Sequence, residues 1–514
     1  MEFLGHIVGG FGALFEPMNF AFLVGGFLIG TFFGAVPGLT SVLAIALLLP
    51  ITYSIDVTPA LIMCASIFMA GMYSGSITAI TINIPGAPSS MMTAIDGNIL
   101  MKEGKGANAL GHAALGSMIG GSIGALLLIL LMPLAAELTL LIRTPGKFSL
   151  VLFALVVIIL VQRDDIAKTV LTTVAGMMIA TIGIDVMQPV PRFSYGTSQL
   201  VQGIDLMPLI IGAFAISELM IQARAGAAEL SAARIREAAS SLRRMDFIPP
   251  LSEVRQIGVV GYLKAALIGY GVGILPGVGG SMAAFVAYAD AKRGAKPEER
   301  FGKGSRKGIA VAESANNAMC GGAFVPMLMF GIPGDPTTAI VLGVLVVNGL
   351  QPGAKLLENQ ADLIAPMFTS LLVSALVLIP LTLFLLGPLF IRIVAIPRGL
   401  LYTGIAVVAL VGSYVATFSI FQMVLAALFG LLAYFLRRGG YPVVSLLLGF
   451  ILGPDLELYL RRSLSLNDGD PTVFLTSPDS LAFIGLSLVF IYLMEIGPRL
   501  KARRHKTNPS SPSQ

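Results

Sequence analysis

Residues 73–90 read YSGSITAITINIPGAPSS, and residues 332–338 read IPGDPTT. Both stretches lie in apolar surroundings, and both crowd two prolines and a glycine into a few residues: Pro85, Gly86 and Pro88 in one, Pro333, Gly334 and Pro336 in the other. Proline removes an amide donor and clashes inside a helix, and glycine loosens the backbone. In hydrocarbon, the freed N–H and C=O groups must find partners in protein or in a water-lined cavity. Each break is followed by two hydroxyls, Ser89 and Ser90 or Thr337 and Thr338. A helix restarting at Pro88 or Pro336 turns free N–H groups and its positive dipole end toward the break, an anion site without a formal charge.

Upstream of each break the chain is small and polar. The first half supplies Ser74, Gly75, Ser76, Thr78 and Asn83, and the second supplies Asn316, Asn317, Gly321 and Gly322. Consecutive asparagines in an apolar span are costly unless they meet a ligand, a neighbouring helix or water. Amides, hydroxyls and backbone N–H groups suit a carboxylate. Side-chain oxygens and unwound carbonyls suit a co-transported cation. Asp335 joins the candidate substrate-binding set beside Thr337. Earlier in each half lies a second break, Pro37-Gly38 and Pro276-Gly277-Val278-Gly279-Gly280-Ser281. It is poorer in side-chain ligands and is expected to line the cavity.

The two kinds of break recur in the same order, which marks an internal repeat. The expected organisation is a first transmembrane repeat over 1–222, a cytoplasmic connector over 223–255, a second repeat over 256–497 and a basic cytoplasmic tail over 498–514. The loop after Pro37-Gly38, Thr52–Pro59, has no basic residue, whereas its counterpart Lys292–Lys307 is strongly basic. Basic residues favour the cytoplasmic side, so the halves are expected to be inverted in the membrane. Matched broken helices in such repeats point to a transporter's substrate site.

Composition sets the class. Apolar residues make up 56% of the 514, and charged ones only 12%, against about 25% in soluble domains. That is too little polar surface for a soluble enzyme and too much apolar residue for a disordered chain. A bilayer core of about 30 Å takes about 20 helical residues, so the uncharged run Pro17–Ile55 must cross twice or break. The expected fold is an all-α polytopic membrane protein with roughly 10–13 hydrophobic segments. Runs such as Ala125–Leu131 are apolar throughout and lack the alternation of a barrel strand.

Other chemistry finds little support. The basic loops carry too few aromatics for nucleic acid. Cys64 and Cys320 form no framework, the three histidines have no metal spacing, and there is no Walker phosphate loop or catalytic cluster. No catalytic residue, metal site or cofactor is expected.

The stretches GAVPGLTSVLAIALLLPITY, YSGSITAITINIPGAPSSMMTAIDG, GVGILPGVGGSMAAFVAYADAKR, ESANNAMCGGAFVPMLMFGIPGDPTTAIVLG and ILGPDLELYLRRSLSLNDGD resemble the large transmembrane subunit of the tripartite tricarboxylate transporters. Ser314 stands where that family shows Ala. After Asp470 the chain lacks the family's Arg-Pro pair and reads Thr476-Ser477-Pro478. The resemblance implies a secondary transporter of a bacterial inner membrane, and the basic tail puts the C-terminus in the cytoplasm by expectation. It implies uptake of di- or tricarboxylates driven by sodium or protons, a small four-helix membrane subunit as partner, and a periplasmic solute-binding protein that delivers the carboxylate. A membrane-embedded scaffold or receptor component without transport is the competing expectation.

Overall fold

The computed structural model describes residues 2–162, 165–224, 244–393 and 398–497. The tail over 498–514 and residues 225–243 of the expected connector lie outside the described residues.

The principal helices are α1 (Glu2–Leu14), α2 (Pro17–Ala35), α3 (Ser41–Thr52), α4 (Val57–Ile82), α5 (Met91–Lys102), α6 (Gly106–Leu141), α7 (Thr144–Val161), α8 (Ile166–Ala180) and α9 (Leu206–Arg224). They continue as α10 (Leu251–Ile274), α11 (Gly279–Arg293), α12 (Arg306–Phe330), α13 (Pro336–Val347), α14 (Ala361–Gly387), α15 (Arg398–Thr417), α16 (Ile420–Arg438), α17 (Val443–Leu466) and α18 (Pro478–Ile496). Among the described residues, ten helices are long and apolar enough to cross a membrane. The only strands there are the two-residue pair Gly183–Ile184 and Pro191–Arg192. The chain is an all-α polytopic membrane protein.

The described residues fall into two compact units, one within 1–139 and 205–435, the other within 140–204 and 436–497. This division cuts across the two sequence halves, since each unit draws on both. In the smaller unit, α17 packs against α7 and α8, and α18 against α7. The family-like segment after Ile451 runs along α17, where Glu457 and Arg461 join Asp185 and Arg192 in an ion-pair network. Arg461 Nη1 lies 2.6 Å from Asp185 Oδ2 and 2.8 Å from Glu457 Oε1, and Arg192 Nη1 lies 2.8 Å from Glu457 Oε1.

The larger unit holds all four breaks. Its centre is α4, buried from Pro59 to Thr81, and α12, buried from Gly308 to Met329. A helix buried on every side should be apolar or small on every side. For α4 that holds, apart from hydroxyls. Buried Glu313, Asn316 and Asn317 break the rule in α12.

The repeat is visible atom by atom. A Cβ on Gly30 or Gly34 of α2 would lie 2.5 Å from the carbonyl oxygen of Ile67 or Gly71 of α4. At the corresponding Gly269 and Gly273 of α10 it would lie 2.1 Å and 2.5 Å from the carbonyls of Ala315 and Met319 of α12. Small residues at four-residue spacing thus let paired helices meet backbone to backbone in both halves. Gly38 and Gly277 share a positive φ (89° and 70°), and so do the helix-ending Asn83 and Gly331 (59° and 67°). Both kinds of break therefore have the same backbone form in each half.

Candidate functional site

Each half first locks its own two breaks together. The Cβ that Gly86 lacks would fall 2.0 Å from Gly34 O and 3.0 Å from Gly75 Cα. At Gly334 it would fall 2.3 Å from Gly273 O and 2.8 Å from Ala323 Cα, the corresponding atoms of the second half. Gly86 N donates to Gly75 O at 3.2 Å, and Gly277 N donates to Pro333 O at 3.2 Å.

The halves then meet at these tips. Asn316 Nδ2 donates to Met72 O at 3.0 Å, and Asn317 Nδ2 to Met69 O at 3.1 Å, so both amides of α12 are spent on α4 backbone. Their Oδ1 atoms are buried with no hydrogen-bond partner. A Cβ on Gly280, at the start of α11, would lie 2.5 Å from Asn316 Oδ1 and 3.2 Å from Ser89 Cβ. Ser89, Asn316 and Gly280, from three different elements and both halves, therefore converge. Ser89 Oγ also points at Met72 Sδ, 3.6 Å away. Next to it, Ser90 Oγ is buried and unpartnered, as are Thr78 Oγ1 and Tyr73 Oη. Buried polar atoms normally have partners, and these five atoms (the Asn316 and Asn317 Oδ1, Ser90 Oγ, Thr78 Oγ1 and Tyr73 Oη) lack one.

Asp335 plays a different part. Its Oδ1 accepts Thr337 N at 2.8 Å, and Thr338 Oγ1 accepts Asp335 N at 3.1 Å while donating to Asp335 O at 2.8 Å. That is a capping box at the start of α13. A Cβ on Gly279 would lie 2.8 Å from Asp335 Oδ2, and Gly280 N–H also donates to this carboxyl. The start of α11 thus already faces a carboxyl group of the chain itself. In the first half the corresponding residue is Ala87, so the two tips differ by one carboxyl group.

Several other expected residues sit elsewhere. Asn83 is an exposed left-handed cap at the end of α4, and Pro88 and Ser281 are exposed. Ser74 Oγ donates to Gly30 O at 3.4 Å and Ser76 Oγ to Tyr73 O at 2.7 Å, both of them helix backbone. Gly321 and Gly322 are points of close approach: added Cβ atoms would meet Gly124 O of α6 at 2.2 Å and Tyr270 O of α10 at 2.2 Å. Pro37 and Pro276 are buried in their breaks, and Gly38 lies against the Gln222 side chain. The tips are closed: Ser89, Ser90, Gly279, Gly280, Pro333, Gly334 and Thr337 are all buried. A cavity of about 390 Å³ lies against the loop after α11, bordered by Glu253, Lys296, Arg300, Arg306 and Lys307.

The family model described as the tripartite tricarboxylate transporter TctA family matches residues 20–448. The chain is similar to a protein of Agrobacterium vitis described as an uncharacterized 52.8 kDa protein in the TAR-I ttuC' 3' region, with 34% identity over 98% of this chain and 99% of that one. A second protein of Agrobacterium vitis, described as an uncharacterized protein in the TAR-II ttuC' 3' region, is 36% identical over 45% of this chain and 96% of its own length. No solved structure matches.

Proposed function

Since the chain belongs to the tripartite tricarboxylate transporter TctA family, we propose that it is the large permease subunit of a binding-protein-dependent secondary transporter for di- or tricarboxylates. The observation that carries this is the meeting of Ser89, Asn316 and Gly280 at the tips of matched breaks, among buried polar atoms with no partner. A static scaffold has no use for such a junction, whereas a solute pocket between two repeats requires one.

In this reading the substrate carboxylate sits on the first-half side of the junction. There the Ser89 and Ser90 hydroxyls offer donors, and no resident carboxyl competes, because Ala87 stands where the second half has Asp335. Asn316 and Asn317 present oxygen rather than nitrogen, so they receive a substrate hydroxyl, a water or the coupling cation. Movement of one pair of breaks against the other opens the pocket to alternate sides. The protein resides in the bacterial inner membrane with its C-terminus in the cytoplasm. It works with a small four-helix membrane subunit and a periplasmic binding protein that delivers the carboxylate, driven by a cation gradient.

Reconstitution with both partners in liposomes tests this. Labelled carboxylate should accumulate under an imposed gradient, and Asn317→Leu or Ser90→Leu should abolish uptake while insertion and size-exclusion behaviour stay normal. Wild-type uptake by both variants refutes the site, and no gradient-driven uptake by the wild type refutes transport.

A further inference from the structure

Glu313 is a fully buried carboxyl that the tips do not use. It lies on α12, one turn before Asn316 and Asn317, with 0% of its surface exposed. Thr93 Oγ1 of α5 contacts its Oε1 at 2.5 Å, and Ser117 Oγ of α6 contacts its Oε2 at 3.1 Å. Helix α5 is the one that restarts after the Pro85–Pro88 break. Helix α6 is clamped to α12, because added Cβ atoms on Gly116, Gly120 and Gly124 would lie 2.0–2.5 Å from the carbonyls of Ala310, Ser314 and Ala318. One carboxyl therefore ties the second half's central helix both to a fixed neighbour and to the helix leading from the first-half tip.

No basic residue neutralises it among the described residues. Arg306 of α12 and His112 of α6 both pair with Glu253 instead. The buried titratable side chains on the helices around it include Cys64 and Tyr73 of α4, Asp96 of α5, His112 of α6, Tyr262 and Tyr270 of α10, Tyr288 of α11 and Cys320 of α12 itself, while Lys102, Glu137, Glu253, Arg255, Lys264, Asp290, Lys292, Arg293, Arg306 and Lys307 are the charged groups of the same helices. Asp96 is itself buried and makes a second carboxyl–hydroxyl pair between the halves, accepting from Tyr288 Oη at 2.8 Å and from Gly304 N at 2.9 Å.

An unpaired buried carboxylate is expensive, and its neutral form avoids that cost. Hydroxyl partners suit either form, because a hydroxyl donates to a carboxylate and accepts from a carboxylic acid. A guanidinium in their place would hold the group ionised. The surroundings also favour a proton over a metal ion. Thr93 Oγ1 and Ser117 Oγ are the side-chain oxygens that meet Glu313, and the close Thr93 contact leaves no gap for an ion between those two oxygens.

We infer that Glu313 is the group that binds and releases the coupling proton, with Thr93 reporting its state to α5; this rests on the transport reading. Protonated, Glu313 keeps α5 docked as a neutral hydrogen-bonded pair. Loss of the Oε–H proton to water leaves a bare carboxylate that α5 and α12 cannot keep dry, so the first-half tip is released.

The test uses the complete three-component system in liposomes with the membrane potential clamped. A gradient of one pH unit, acid outside, drives about tenfold accumulation per coupled proton. Wild type should show it. Glu313→Gln, fixed in the neutral docked form, should lose it, and Glu313→Asp should retain a pH response. In the purified protein, the infrared difference spectrum between acid and alkaline pH should contain a protonated-carboxyl band that E313Q removes. Thr93→Val, which keeps the side-chain shape, should shift the pH midpoint of that band and serves if E313Q fails to fold. Acid-driven accumulation by E313Q, or a T93V midpoint equal to wild type, overturns the assignment and leaves transport standing. So does wild-type uptake that follows sodium and ignores pH. Absence of wild-type uptake under every gradient overturns the transport reading itself.

Discussion

Alanine at Gly86 should disable the protein while a nearby class of glycine tolerates the same change. The added methyl would sit 2.0 Å from Gly34 O and 3.0 Å from Gly75 Cα, both backbone atoms of packed helices. Relief therefore requires α2, α4 or the break itself to move by roughly an ångström, and no side chain can rotate away. Overpacking of this kind costs about 1–3 kcal/mol, at times more. At about 2–4 °C per kcal/mol for domains of 150–250 residues, the thermal midpoint should fall by several degrees. Gly334→Ala should behave alike, since its methyl meets Gly273 O at 2.3 Å. Gly271→Ala is the control: nothing lies within 4 Å of its Cβ position, and Ala is favoured over Gly in a helix by about 1 kcal/mol. Thermal unfolding in detergent, followed by uptake in liposomes, reads the outcome. If G86A and G334A unfold with G271A and transport at wild-type rate, the tips are not packed as described and the reasoning fails.

Placing a carboxyl group at the first-half tip, where the second half has Asp335, should hinder substrate: Ala87→Asp should lower carboxylate uptake at least tenfold, whereas the similarly shaped Ala87→Asn should retain a substantial part of it. Equal loss in both variants would mean that volume, not charge, is sensed there. In the smaller unit, the hydrogen bond from Arg461, with backbone N–H groups of Met187 and Gln188, lowers the Asp185 pKa from 3.8 to about 2. A depressed carboxyl contributes stability above its unfolded pKa and loses it as pH falls through the folded value. Thermal stability should therefore be unaffected by this pair down to about pH 4 and decline toward pH 2. In Arg461→Met this unit should be less stable near neutral pH and should lose less stability between about pH 4 and pH 2, and an unchanged acid profile would show that the pair contributes nothing.

The breaks were legible because proline and glycine announce themselves in an apolar run, and their paired order exposed the repeat. The contacts behind the repeat were harder to see. Gly26, Gly30 and Gly34 have visible four-residue spacing, but only the structure shows that Gly30 and Gly34 face the carbonyls of Ile67 and Gly71 just as Gly269 and Gly273 face those of Ala315 and Met319. Asn83 looked like a ligand, yet Asn is also the non-glycine residue that most readily ends a helix in the left-handed form, and it is a cap here. Asp335 likewise serves its own helix end. Thr93 and Ser117 lie 220 and 196 residues from Glu313, so no local pattern could have joined them. The compact units were equally hidden, because 140–204 packs with a segment almost at the other end of the chain, while hydropathy reports only span after span.

The most direct measurement is a cross-link between Ser89 and Gly280. A Cβ on Gly280 lies 3.2 Å from Ser89 Cβ, near the separation of about 3.5–4.5 Å that a disulfide spans. In S89C/G280C, oxidation should form the bond rapidly and stop carboxylate uptake, reduction should restore whatever uptake the double variant had, and bound carboxylate should slow the bond's formation. Cysteines that fail to join, or a bonded protein that still transports at the reduced rate, would contradict a shared pocket at this junction.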